Sequence, residues 1–80
     1  MENLKKNLEQ ARGTKELGNV LTKAVSEVSA TSGKSTDDIK HALAKDTGVQ
    51  IGTINQILKS KIKNPPVKRL DDFVSTLKNI

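Results

Sequence analysis

The stretch Lys40–Lys59, KHALAKDTGVQIGTINQILK, decides how this chain folds. Its first half places Leu43 and Ala44 on a helix. Gly48 ends that helix, because a left-handed backbone costs glycine nothing. Val49 follows as an apolar plug. Ile54, Ile57 and Leu58 then stand at i, i+3 and i+4, one face of a second helix. At about 100° per residue, the opposite face carries Gly52, Asn55, Gln56 and Lys59. Two amides and a cation with nothing to bury suit hydrogen bonding to base edges in a DNA major groove.

Those residues resemble the helix-turn-helix of the phage Cro and repressor family, the XRE-type regulators. With Lys40 as the first motif position, the family's small fifth residue is Ala44 and its ninth-position glycine is Gly48. Its apolar fourth, tenth, fifteenth and eighteenth positions are Leu43, Val49, Ile54 and Ile57. The basic loop, proline and amphipathic helix that usually follow are similar to KSKIKNPPVKRLDDFVSTL here. The likeness runs from Leu17 to Leu77. It implies an all-α, compact lambda-repressor-like domain of four helices, with a fifth as the alternative. It also implies that Gln50, Ile51, Gly52, Asn55, Gln56 and Lys59 face the groove. Three positions depart from the family, one of them Gly52 in the first turn of the reading helix. Gln50 stands where Ser or Thr usually caps the reading helix, and Lys40 where a phosphate-binding glutamine is common.

Eighty residues make one small domain, which buries only about 60% of its unfolded surface. The chain has no cysteine, so neither a disulfide nor a thiolate site is available. No apolar run approaches the ~20 residues of a membrane span, and the N-terminus lacks a signal peptide's apolar region. A cytoplasmic, nucleoid-associated protein is therefore expected. The charge of +5 is uneven. Met1–Gly13 carries three basic and two acidic residues, and Thr14–Thr47 five of each. Gly48–Ile80 carries six basic and two acidic residues, with Lys59, Lys61, Lys63, Lys68 and Arg69 in a run free of carboxylates. That run starts at the end of the reading helix, where phosphates are expected. Lys40, Thr53, Lys61, Lys63 and Lys68 are the expected phosphate contacts, with the start of the last helix beside them. Phe73 is the only aromatic, so the stacking platforms of single-strand and RNA binders are missing and duplex DNA is favoured.

Residues 1–13 form an N-terminal arm or short helix, and 14–80 the folded domain. Leu4, Leu8 and Ala11 make a thin apolar stripe, about 220° out of phase with the next, so a break at Gly13 is expected. A flexible arm is the favoured reading of this segment. A short helix on the body or on a second subunit is the alternative, and a basic arm reaching DNA a third. Thr14 serves as an N-cap for a helix over 14–30, whose apolar face is Leu17, Val20, Leu21, Ala24, Val25 and Val28. Lys23 and Glu27 are spaced to pair on its wet side. Gly33-Lys34-Ser35 resembles the end of a phosphate-binding loop, but Val28 stands where that loop needs glycine, so nucleotide binding is rejected. Ser35, or Thr36, caps a helix over 36–47 that buries Ile39, Ala42 and Leu43. The reading helix spans 51–60. Gly52 in its first turn either lets a partner approach closely or is merely a poor helix residue. Ile51 either meets a thymine methyl or is buried. Ile62 tucks onto the core, and a last helix over 66–78 buries Val67, Leu70, Phe73, Val74 and Leu77.

The expected function is a sequence-specific double-stranded DNA-binding transcriptional regulator, a repressor by resemblance, working as a homodimer on a near-palindromic site. The alternative is a protein-interaction module of antitoxin or antirepressor type, using the Leu4–Leu8–Ala11 stripe. No nucleophile–base pair or metal cluster is present in the sequence, so neither enzyme, cofactor nor small-molecule ligand is expected. His41, the only histidine, has no companion ligand.

Overall fold

In the computed structural model, which describes residues 3–80, the broad apolar face of the second helix is the wall on which the others lean. Five helices form: α1 Leu4–Ala11, α2 Glu16–Ser32, α3 Thr36–Thr47, α4 Ile51–Leu58 and α5 Val67–Lys78. The described residues contain no strand. None of these helices is long and apolar enough to cross a membrane. Leu17, Leu21, Ala24, Val25 and Val28 of α2 are buried together with Ile39 and Leu43 of α3 and Ile54 and Ile57 of α4. Leu70, Phe73, Val74 and Leu77 of α5 complete that core, with Phe73 fully enclosed.

The chain punctuates itself where the residue types demand. Ser35 accepts a hydrogen bond at its Oγ from Asp38 N–H at 3.1 Å, and α3 starts there. Gly48 takes φ 74° and donates to Ala44 O at 3.0 Å, a left-handed cap that stops α3. Gly33 ends α2 in the same way, two residues later than the apolar stripe suggests. Thr14 donates to Ala11 O and accepts from Glu16 N–H, so it bridges α1 to α2, while Lys15 takes the backbone position before the helix. Pro66 precedes α5, which leaves Val67 as its first residue and 43% exposed.

The N-terminal segment corrects the flexible-arm expectation. Residues 4–11 form α1, and Leu4, Leu8 and Ala11 are 6%, 0% and 7% exposed. The stripe is thin, yet it packs against both α2 and α5. The out-of-phase register is absorbed at Gly13, with φ 82°. Gly13 N–H donates to Lys63 O, and Arg12 Nε donates to Pro65 O at 2.6 Å. The arm's end is thereby tied to the loop before α5. Lys5 Nζ also lies 3.7 Å from Asp71 Oδ1 of α5. Met1 and Glu2 lie outside the described residues.

Candidate nucleic-acid interface

α3 and α4 are joined by only Gly48, Val49 and Gln50. Val49 is 8% exposed, so the turn is pinned to the core by its middle residue. Thr47 supports it, donating Oγ1–H to Leu43 O at 2.6 Å and accepting Val49 N–H at 3.3 Å. Behind α4, Ile54 and Ile57 are buried. On its outer side Gln50, Gly52, Gln56 and Lys59 are exposed, and Asn55, Thr53 and Ile51 are half-buried at the flanks. The amide face expected from the sequence is thus brought to one surface, and Ile51 is shared between that surface and the helix shoulder. Gln50 is the residue before α4, and its side chain makes no capping bond.

The end of α4 is built by residues whose role the sequence pattern did not reveal. The helix stops at Leu58, two residues short of the expected end. Lys61 N–H reaches back to Gln56 O at 2.8 Å, and Ser60 N–H to Ile57 O at 3.0 Å, which together form a Schellman closure. Ser60 occupies its left-handed position, with φ 59°, where glycine is usual. Its hydroxyl compensates by bonding in both directions. Ser60 Oγ accepts Gly18 N–H at 3.1 Å and donates to Lys15 O at 2.6 Å. α4 is thereby held to the first turn of α2. Gly18 is buried at the crossing, and a Cβ there would collide with Ser60 Oγ and lie 2.5 Å from Leu58 O. A glycine in the first turn of an otherwise good helix was the available signal for this contact.

The expected basic run divides. Lys59, Lys61 and Lys63 are exposed, and none of them pairs with a carboxylate among the described residues. Lys68 lies 3.5 Å from Asp72 on α5. Arg69 turns inward: it is half-buried, and Nη1 donates to Thr47 O at 3.2 Å, at the last turn of α3. Its charge therefore belongs to the α3–α5 contact rather than to the basic surface, where a guanidinium suits the unpaired carbonyls of a helix end. Lys40 is partly covered, 4.0 Å from Asp37. It shares an open groove of about 330 Å³ with Thr22, Ser26, Thr36, Asn55 and Lys59, between α2, α3 and α4. The structure thus gathers Lys40, an expected phosphate contact, with Asn55 and Lys59, two of the expected groove-facing residues.

His41 is exposed, with Nδ1 2.8 Å from Asp37 O of its own helix. Among the described residues no group of His, Cys, Asp or Glu is placed to hold a metal ion. Lys23 and Glu27 do not reach ion-pair distance; instead both line the groove between α1 and α2. No protein-family model, curated protein or solved structure matches this chain.

Proposed function

We propose that this chain is a sequence-specific double-stranded DNA-binding regulator of the Cro and repressor helix-turn-helix type, with α4 as the reading helix. One observation carries the proposal: α4 buries Ile54 and Ile57 while leaving Gln50, Gly52, Gln56 and Lys59 free, and the unpaired Lys61 and Lys63 follow directly. An amide face bordered by uncompensated cations matches the two demands of duplex recognition, reading base edges and neutralising phosphates. In this reading Gln56 pairs with adenine, and Asn55 and Gln50 assist from its flanks. Lys59, Lys61 and Lys63 hold phosphates, Lys40 does so from the groove it shares with Lys59, and Thr53 does so from the opposite flank of α4. Lys68 contributes the least, since Asp72 offsets its charge. Binding as a homodimer on a near-palindromic site would give a reader of this size its specificity. Occupancy of such a site by a cytoplasmic, nucleoid-associated protein would make it a repressor.

The interaction-module reading needs Leu4, Leu8 and Ala11 as a free face, and that face is spent on the core. The test of the DNA reading is Gln56→Ala, assayed on a duplex enriched by the wild-type protein from a randomised library. Affinity for that duplex should fall by ~1–3 kcal/mol and affinity for unselected DNA hardly at all. Equal losses on both would remove Gln56 from base reading.

A further inference from the structure

Resting on the DNA reading above, we infer that Gly52 is the point of closest approach between α4 and the duplex, kept bare so that the helix backbone can sit against the groove. The fold has no use for a glycine there. The positive-φ glycines are Gly13, Gly33 and Gly48, and Gly52 is not among them. A Cβ added at Gly52 would meet nothing within 4 Å, whereas one added at Gly18 would strike the end of α4. Gly52 is also exposed and helical. Neither backbone strain, nor close packing, nor a turn accounts for it.

The residue nevertheless carries a cost. Glycine is a poor helix former, and α4 has only eight residues and no side-chain cap. Alanine there would firm up this helix, and its Cβ would meet no other part of the protein. The space over Gly52 belongs to the same outward face as Gln56, one turn further along. A partner read by the Gln56 amide must therefore pass over Gly52. The missing side chain sets how deeply α4 enters, so Gly52 determines specificity by shape rather than by hydrogen bonding.

The test compares wild type, Gly52→Ala and Gly52→Leu by thermal unfolding and by fluorescence anisotropy. The probes are the duplex enriched by wild type from a randomised library and an unselected duplex. Gly52→Ala should raise Tm by roughly 2–6 °C. It should weaken binding to the enriched duplex on the order of tenfold, with Leu weakening it further. Binding to the unselected duplex should change by less than about twofold, because loose phosphate contact does not require the helix to sit deep. A Gly52→Ala protein that binds the enriched duplex as tightly as wild type overturns the inference. So does a fall in Tm, which would mean that the fold itself requires the glycine. A wild-type protein that enriches no sequence refutes the DNA reading first, and the inference with it.

Discussion

Gly18→Ala should destabilise the protein, although the same change at Gly52 stabilises it. The magnitude follows from the crossing of α2 and the end of α4. The new Cβ would lie 2.5 Å from Leu58 O and 2.8 Å from Ser60 N, and would press on Ser60 Oγ. Ordinary contact begins near 3.4 Å, so Leu58 O must retreat by 3.4 − 2.5, or about 0.9 Å. Two of the three obstructing atoms are backbone and cannot rotate away. Overpacking of this kind costs about 1–3 kcal/mol. Displacing Ser60 Oγ also breaks its bonds to Gly18 N–H and Lys15 O, each worth ~0.5–1.5 kcal/mol. Better helix propensity returns up to ~1 kcal/mol. Together these leave a net loss of about 1–5 kcal/mol, or at least roughly 4 °C in Tm for a domain of this size. Thermal and urea unfolding followed by far-ultraviolet circular dichroism measures it. Removing the hydroxyl as well, in Gly18→Ala/Ser60→Ala, should recover little, because Leu58 O and Ser60 N still obstruct. A Gly18→Ala protein that melts at or above the wild-type temperature would refute the reasoning, and with it the claim that this contact fixes α4.

Leu8→Ala should cost ~2–5 kcal/mol, because Leu8 is fully enclosed between α1 and the body. A change in urea midpoint too small to resolve would return α1 to the status of a loose arm. Arg69→Met keeps the apolar stem but loses the bond to Thr47 O, so a loss of ~1 kcal/mol in stability is expected, with no change in the salt dependence of DNA binding. Lys61→Ala should do the reverse, leaving Tm alone and reducing the slope of log K against log salt by about one unit. Matching slopes for these two variants would mean that the two cations have been assigned the wrong roles.

Much of this architecture was readable from residue spacing. The α2 and α5 stripes, the Ser35 cap and the Gly48 stop are local signals, and local physics decides them. α3 begins and ends where those signals place it, at Thr36 and Thr47. The outward face of α4 was equally legible, since burial of Ile54 and Ile57 dictates which side remains. Features that depend on distant partners were not legible. The three apolar residues of α1 looked too few to dock, and the carbonyls of Lys63 and Pro65 that help hold its end lie fifty or more residues away. Ser60 reads as an ordinary polar residue until Gly18 and Lys15 are brought beside it. Arg69 reads as one more surface cation until the end of α3 supplies its acceptor. In each case the missing information was a neighbour across the fold rather than a propensity.

The central claim is that the surface of α4 and the loop after it bind duplex DNA. Fluorescence anisotropy of a labelled mixed-sequence duplex, titrated with the wild-type chain across a salt series, tests it most directly. If Lys40, Lys59, Lys61 and Lys63 each neutralise a phosphate, log K should fall with log salt with a slope of roughly −3 to −4 per protomer, and about twice that for a dimer. No binding at low salt, or a slope near zero, would contradict the account.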